Sequence, residues 1–325
     1  MSEGIHIVWL KRDLRVADHP CLHAVSKCCA AGDRMLVLYI YEPIVYEAAE
    51  VDACHLYFIN ECLSELRMEL RDLGGDLLIE CGNAVDIFEQ LHQKYGVKAL
   101  WSHEENGNTI TFERDKEVAL WATRSEVRWR ELPQNGVVRR LRDRDGWSQQ
   151  WINRMRQPVL ERPHVLLSPV VKGNSALKEA SDLGLEDREM TERQRGGEKQ
   201  AHALLQSFLN ERGEQYRLAM SSPVTAYEAC SRLSPYLSYG ALSVRQAYQT
   251  GHQRLDSIKV GTVKRGTVTV WKQSIRSFLS RLSWHCHFMQ KIEDQPNIDR
   301  VNLATIYDGL RGENADYLES WAYGR

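Results

Sequence analysis

Two serines and an arginine in the C-terminal half are suited to binding phosphate. Ser231, Arg232 and Ser234 lie close together where a helix is expected to begin. An arginine and small hydroxyl groups near a helix N-terminus favour a phosphate, because free N–H groups and the helix dipole also attract negative charge. The alternative is an ordinary helix start with serine caps and a surface arginine. Taken by itself, the segment leaves both interpretations open.

The run His285-Cys286-His287 combines two residue types that bind metals. It lies in a predicted helix, where residues two apart point about 200° away from each other. The two histidines therefore cannot chelate one ion together, and no metal site is predicted. The eight cysteines show no paired CxxC spacing, so free buried thiols are expected rather than disulfides or zinc.

The elements that must position these residues begin with an α/β domain. Apolar strands alternate with helical patterns, which favours a parallel sheet covered by helices. The five predicted strands run over residues 6–10, 35–41, 76–81, 98–102 and 127–132. Right-handed crossovers make this a doubly wound, Rossmann-like domain over residues 1–135. No GxGxxG loop follows the first strand, so an ordinary dinucleotide fingerprint is absent.

Two helices of this domain have clear ends. Leucines and an isoleucine recur at spacings of three and four after Asp52, up to Gly74-Gly75, and this apolar face must pack on the sheet. A second helix over residues 84–95 follows Asn83 as its N-cap and stops at Gly96.

The rest of the chain is predicted to be helical. The pattern weakens into Pro, Ser, Gly and charge from about residue 161, and residues 136–195 form the expected interdomain connector. An amphipathic helix follows Gly196-Gly197-Glu198 and opens an incomplete all-helical domain over residues 196–325. Its apolar face consists of Ala201, Leu204, Leu205, Phe208 and Leu209.

Composition leaves the partner open. The chain has 325 residues, of which 43% are hydrophobic and 26% charged, as is ordinary for a globular protein. A formal net charge of -2 gives no global nucleic-acid signature, so any DNA contact must come from a local patch. No apolar stretch approaches the ~20 residues needed to cross a bilayer, and no signal-peptide pattern is present. A cytoplasmic, monomeric protein without a membrane partner is expected.

Three stretches together resemble the photolyase/cryptochrome family. Residues 8–15 with Asp18-His19-Pro20 are similar to the N-terminal signature of that family. Residues 196–198 resemble the start of its flavin domain, and residues 231–237 its flavin-phosphate segment. Three matches in the right order and spacing favour membership in the family over chance.

The resemblance implies an FAD cofactor. In the family a folded FAD is held by its pyrophosphate, and the residues at matching positions are Tyr216, Cys230, Ser231, Arg232, Leu233 and Ser234. The family usually has threonine where this chain has Cys230, so one hydroxyl contact is missing. An ordinary packed tyrosine is the alternative for Tyr216, and no catalytic residue is assigned.

The resemblance also implies a DNA partner that contains pyrimidine dimers. In repairing members, the helix equivalent to residues 278–288 presents a glutamate, a tryptophan and an arginine to the flipped dimer. Here Trp284 is kept, while Arg281 stands at the glutamate position and His285 at the arginine position. Trp284 either stacks on an extruded base or packs in the core, and His285 either donates a proton near the lesion or is an ordinary helix histidine.

Two further surfaces carry open alternatives. Family members often hold a folate or deazaflavin antenna against the N-terminal domain, and Glu105 or Asn106 lies at the end of a predicted strand, where α/β sheets bind ligands. An acidic loop that caps the helix from Thr109 explains the same residues. The basic run over residues 138–147 is a candidate for phosphate contacts, a solvated face or a seam between domains.

The leading function is FAD-dependent, blue-light-driven repair of pyrimidine dimers, a lyase reaction of the photolyase type. The alternatives are a cryptochrome-like photoreceptor without repair activity and an inactive truncated fragment. The resemblance implies a longer helical domain than the one that ends at Arg325. The residues beside the flavin ring are therefore expected to be missing, and FAD binding to be weak.

Overall fold

In the computed structural model, which describes residues 5–29, 33–164, 176–188, 190–259 and 261–325, five strands form one parallel sheet. The strands are β1 (Ile5–Leu10), β2 (Arg34–Tyr41), β3 (Leu77–Cys81), β4 (Val97–His103) and β5 (Arg128–Leu132). Their order is β3-β2-β1-β4-β5, with every neighbouring pair parallel. The predicted strands and fold class are confirmed. The strand order reverses at β1, so the carboxyl ends of β1 and β4 border the crevice where doubly wound sheets bind ligands.

Helices surround this sheet and form the rest of the chain. Those of the first half are α1 (Pro20–Cys29), α2 (Pro43–Tyr46), α3 (Ala53–Asp72), α4 (Ala84–Tyr95) and α5 (Thr109–Arg124). Those that follow are α6 (Trp147–Met155), α7 (Glu198–Ser207), α8 (Tyr216–Ala219), α9 (Pro223–Ala229), α10 (Ser234–Ser238), α11 (Val244–Ser257), α12 (Val268–Asp294) and α13 (Ala315–Tyr323). Short 3₁₀ turns lie at Ala180–Leu183, Arg265–Thr267 and Thr305–Tyr307, and a π-helical turn, Phe208–Arg212, extends α7. None of the helices in the described ranges is long and apolar enough to span a bilayer.

Capping residues set the ends of the two helices predicted from sequence. The Asp52 side chain accepts a hydrogen bond from the backbone N–H of Cys54 at the start of α3. At the start of α4, the Asn83 side chain accepts a hydrogen bond from the backbone N–H of Val85. Gly96 ends that helix with a φ of 65°. Both predictions are confirmed, because the N-caps and the C-terminal glycine satisfy backbone groups that the helix itself leaves free.

The apolar core on one face of the sheet continues into the helical half. Phe88 and Trp121 cover one face together with their neighbours on α4 and α5. On the other face, the side chains of α1 and α3 form one cluster with Leu205, Phe208 and Phe278 of the helical half. One apolar cluster therefore joins the α/β half to the helices.

The interdomain connector is more regular than its composition indicates. Trp147, Trp151 and Met155 form the buried face of α6, a helix that the prediction for residues 136–195 did not include. Residues 165–175 and 189 of the same connector lie outside the described residues. The domain division at residues 135 and 195 stays a prediction.

Glu61 of α3 ties the end of this connector to the α/β domain. Its carboxylate accepts hydrogen bonds from Arg193 at 2.7 and 2.8 Å, from Arg195 at 2.8 Å and from the backbone N–H of Gly196 at 2.7 Å. Burial opposes the ionisation of Glu61, but the hydrogen bonds from these donors together have the larger effect. They hold the pKa of Glu61 at about 2, below its usual range. The charged form of Glu61 therefore stabilises the fold.

This depressed pKa predicts a specific loss of stability in acid. Because the folded pKa lies below the unfolded value of about 4.3, the contribution is complete at neutral pH and is lost as the pH falls towards 2. We expect Glu61→Gln to cost roughly 2 kcal/mol of unfolding free energy at pH 7, after allowance for partial exposure, and much less near pH 2. Urea unfolding at pH 7 and pH 3 measures this difference. The exposed Glu113→Gln serves as control, and equal acid dependence in all three proteins would contradict the prediction.

Candidate functional site

Charged side chains fill the crevice at the carboxyl ends of β1, β2 and β4. The guanidinium of Arg114 donates to Glu42, to Glu105 at 2.7 Å and to Asp115 at 2.9 Å. Lys11 lies 2.8 Å from Asp115 and 3.5 Å from Glu105. All five side chains are 4–9% exposed. Burial opposes ionisation of Glu105, but Lys11 and Arg114 hold its pKa below the usual range. We call these five residues the ion cluster.

The ion cluster leaves little room for a ligand in this crevice. A cavity of about 90 Å³ remains beside it, lined in part by Tyr39, Tyr46 and Tyr239. Sites for ring-sized ligands are typically ~300–1,000 Å³. A tricyclic chromophore therefore does not fit at the point where the strand order reverses. The sequence did not indicate that Glu42, Arg114 and Asp115 belong together, because Glu42 follows β2 whereas Arg114 and Asp115 lie on α5.

A larger cavity lies between the loop after β4 and the helical half. Its volume is about 320 Å³, and its polar lining includes Arg12, Glu104, Asn106, Asn108 and His285. Asn106 also hydrogen-bonds to Asn135 at 2.9 Å. The amides and the carboxylate suit a small polar ring such as a pterin. Asn108 caps α5 as well, so the capping interpretation of this loop holds alongside the cavity.

The predicted phosphate segment forms the turn between α9 and α10. Arg212 supports it from behind by donating to the carbonyl oxygens of Cys230 and Ser231, the latter at 2.8 Å. Arg232 has a left-handed φ of 57°, and its guanidinium lies 3.9 Å from the centre of the Tyr227 ring. Leu233 is buried, whereas Ser234 is exposed. Ser231 and Arg232 are half-buried, so the hydroxyl groups and the guanidinium are at least partly accessible to a ligand.

The structure brings Tyr216, Arg281 and Trp284 together beside this segment. Burial raises the pKa of the Tyr216 hydroxyl, Cys230 raises it further, and the nearby guanidinium of Arg281 opposes both effects. The guanidinium of Arg281 also lies 5.5 Å from the centre of the Trp284 ring. Trp284 is 50% exposed, so it is not a core aromatic. We call Tyr216, Cys230, Arg281 and Trp284 the aromatic face.

His285 does not share this face. It lines the interdomain cavity of about 320 Å³, whereas Trp284 borders a separate surface depression with Arg144, Trp147 and His287. Burial lowers the pKa of His285, which favours a neutral imidazole at pH 7. The structure therefore separates His285 from the other two residues of the predicted substrate set.

In the basic run over residues 138–147, some arginines pair with neighbouring elements and others are exposed to solvent. Arg139 pairs with Glu131 at 3.2 Å, and Arg144 pairs with Asp294 of α12 at 2.8 Å. Arg140 is exposed. The paired arginines fix the loop to its neighbours and leave few cations of the run for a nucleic acid.

Comparisons with known proteins agree with this architecture. Residues 6–151 match the profile of the DNA photolyase family. Over 99% of its length, the chain is 25% identical to the deoxyribodipyrimidine photo-lyase of Alkalihalophilus pseudofirmus, of which it covers 67%. It is 25% identical over 99% of its length to cryptochrome DASH of Gloeobacter violaceus, of which it covers 64%. The structure of an archaeal photolyase from Sulfolobus tokodaii with two FAD molecules aligns with a TM-score of 0.71, at 21% identity over 98% of this chain and 67% of that one.

The fold and the site define a two-part protein, in which a doubly wound α/β domain packs on helices that carry a candidate cofactor surface. Residues 6–151 match the DNA photolyase family, and almost the whole chain is similar to photolyases and cryptochromes. It spans about two thirds of the length of the curated relatives described above, 67% and 64% respectively.

Proposed function

We propose that this protein is an FAD-dependent, light-driven lyase of the photolyase type that repairs pyrimidine dimers in DNA. The observation that carries the proposal is the half-exposed Trp284, which lies beside Arg281 on α12. The match of residues 6–151 to the DNA photolyase family and the similarity of the chain to a deoxyribodipyrimidine photo-lyase support it. A cytoplasmic monomer with DNA as its partner is part of the same proposal.

The flavin would be held at the turn between α9 and α10. The hydroxyl groups and the guanidinium there match the needs of a pyrophosphate, and Arg212 keeps the turn in shape. The residues in contact would be Tyr216, Cys230, Ser231, Arg232, Leu233 and Ser234. When bound, the flavin supplies a light-driven electron to the dimer. Cys230 offers a weaker hydrogen bond than a threonine hydroxyl would.

The aromatic face would receive the flipped base. Trp284 would stack on the base, while Arg281, which lies close to Tyr216, would contact its edge or the backbone. Because a guanidinium only donates hydrogen bonds, Arg281 recognises carbonyl or phosphate oxygens and not ring N–H groups. His285 lies at the interdomain cavity and takes no part in this contact.

A second chromophore would bind in the interdomain cavity. Its volume of about 320 Å³ and its amide lining suit a folate, whereas the crevice beside the ion cluster retains only about 90 Å³. A deazaflavin would need the crevice to open, which the buried ion pairs oppose. Asn106 and Glu104 would then contact the pterin ring, with Glu105 behind them in the ion cluster.

Replacing Trp284 with alanine tests the proposed DNA contact. Base–aromatic stacking contributes about 1–3 kcal/mol, so we expect affinity for a DNA duplex with one thymine dimer to fall roughly 5–150-fold. Affinity for undamaged DNA should change little, because backbone charge supplies that binding. Fluorescence anisotropy at fixed salt measures both values.

The matched control is Leu120→Ala, which removes an even more exposed apolar side chain from α5 on the far face of the sheet. It should bind both DNAs as the parent chain does. If Trp284→Ala bound damaged DNA as tightly as the parent, the substrate contact proposed here would be wrong.

A cryptochrome-like photoreceptor without repair activity is the second candidate. It is favoured by Arg281, which stands where the resemblance implies a carboxylate and so removes an acceptor for the N–H groups of a dimer. Blue-light-dependent loss of thymine dimers from an oligonucleotide, with FAD added, separates the two. Repair by the parent chain supports the lyase, whereas light-dependent flavin reduction without dimer loss supports the photoreceptor.

A further inference from the structure

We propose that the end of β4, the residue before α1 and the first turn of α1 form a buried zinc site. His19, Cys21 and His103 each offer one ligand atom, and these three atoms lie within 4.8 Å of one another. The three residues are 0–1% exposed. The sequence gives no sign of this cluster, because His103 is the last residue of β4, far along the chain from His19 and Cys21.

One ring nitrogen of this cluster lacks a partner in the part of the chain that the structure describes. Nε2 of His103 is buried without a hydrogen bond. Nε2 of His19 makes no well-aligned hydrogen bond either, but it forms an ion pair with Oδ2 of Asp13 at 3.0 Å. Buried polar atoms are nearly always satisfied. A bound cation would satisfy Nε2 of His103 and take the place of the proton between His19 and Asp13.

Asp13 already orients His103 as a ligand. Its Oδ2 lies 2.5 Å from Nδ1 of His103, and a carboxylate so placed puts the ring proton on Nδ1. The lone pair of Nε2 is then free to bind a metal. Asp13 is itself fixed by the backbone N–H of Lys11, which donates to Oδ1 at 2.7 Å. A carboxylate behind the histidine is the usual outer partner in protein zinc sites.

The ring proton of His19 must move from one nitrogen to the other before His19 can bind the metal through Nε2. Its Nδ1 accepts a hydrogen bond from the backbone N–H of Leu22 at 3.1 Å, so the ring proton lies on Nε2. Binding through Nε2 moves the ring proton to Nδ1, so that the imidazole stays neutral, and the thiol proton of Cys21 leaves to solvent. The cost is one cap bond in the first turn of α1, which a zinc–thiolate bond outweighs.

The set of two imidazoles and one thiolate selects zinc among common cations. Zinc–ligand bonds of about 2.0–2.3 Å in a tetrahedron place ligand atoms roughly 3.5 Å apart, so the side chains need to close by about 1 Å. His103 also lines the cavity of about 320 Å³. That cavity gives the ion a way in and supplies a water for the fourth position.

The ion would fix the loop that joins the two halves of the protein. Leu14 donates from its backbone to the carbonyl oxygen of Tyr239 at 3.0 Å, and Arg15 donates to that of Gly240 at 2.8 Å. Both residues lie between Asp13 and His19. A zinc ion at His19 would therefore stabilise the contact with the helical half.

Titration of the metal-free chain with Co²⁺, followed by Zn²⁺, tests the site. We expect one equivalent of Co²⁺ with a sulfur-to-cobalt charge-transfer band, loss of the band on addition of Zn²⁺, and a higher melting temperature with Zn²⁺. Cys21→Ser should lose the band, and both Cys21→Ser and His103→Asn should weaken binding at least tenfold. Cys286→Ser, which changes a thiol equally buried but outside the cluster, should retain both properties.

The proposal is overturned if no stoichiometric Co²⁺ binds after chelator washing, or if the band persists in Cys21→Ser. Circular dichroism in chelator shows whether each variant folds. If Cys21→Ser does not fold, ¹¹³Cd NMR of the parent chain decides the matter, because its chemical shift distinguishes one sulfur ligand from a site with nitrogen and oxygen only.

Discussion

Replacing Arg114 with methionine is expected to lower the free energy of unfolding by about 3–5 kcal/mol. The substitution keeps most of the side-chain volume but removes the cation that pairs with Glu42, Glu105 and Asp115. Burial already raises the pKa of Glu42 against the opposing charge of Arg114. Without the guanidinium, Lys11 still pairs with Glu105 and Asp115, but Glu42 loses the cation that it contacts. Urea unfolding at pH 7, followed by circular dichroism, measures the loss.

Lys116→Met provides the control for this experiment. Lys116 lies on the same helix and pairs with Glu113, but both side chains are more than half exposed, at 55% and 56%. Exposed pairs of this kind contribute about 0.5 kcal/mol or less. A similar loss in both variants would show that the ion cluster does not stabilise the fold by charge pairing.

Replacing Gly240 with alanine is expected to cost about 3 kcal/mol or more, because backbone atoms leave no space for a side chain there. Gly240 has a φ of 68°, and a Cβ atom would lie 2.1 Å from the carbonyl oxygen of Arg12. The backbone cannot easily retreat, since the Gly240 carbonyl accepts a hydrogen bond from Arg15 at 2.8 Å. Thermal and urea unfolding measure the loss.

Gly96→Ala isolates the contribution of the close approach. Gly96 has nearly the same φ, 65°, but a Cβ atom there meets nothing within 4 Å. Its substitution should cost only about 1 kcal/mol, the conformational part of the effect. If the two alanine variants lost equal stability, the tight contact between the loop after β1 and the helical half would not be a source of stability.

Local patterns predicted those parts of the fold that local interactions determine. The strands alternate with helices in apolar runs, and α3 and α4 carry their own caps at Asp52, Asn83 and Gly96. Helix α6 was missed because its apolar face consists of three residues among polar ones, and that face is covered by α11 and α12, where Trp151 contacts Tyr248 and Trp147 contacts His287. Its sequence is mostly polar and begins where the charged run over residues 138–147 ends.

Some features of the candidate site were likewise predictable from the local sequence, and others were not. Ser231, Arg232 and Ser234 are neighbours in sequence, so their grouping on one turn was predictable. The exposure of Trp284 was not, since it depends on what packs against α12. The ion cluster and the group His19, Cys21 and His103 were also hidden, because separate strands bring their members together.

The shared apolar cluster has a consequence for how separable the two halves are. Phe58 of α3 packs edge-on against Tyr236 of α10 with ring centres 5.1 Å apart, and both belong to the cluster that extends to Phe278. Residues 1–135 produced alone would expose this surface to water and self-associate. The two halves are therefore expected to unfold in one cooperative transition. A destabilising substitution in either half should then lower the melting temperature of both. The α/β half is therefore not expected to fold or act as an independent module.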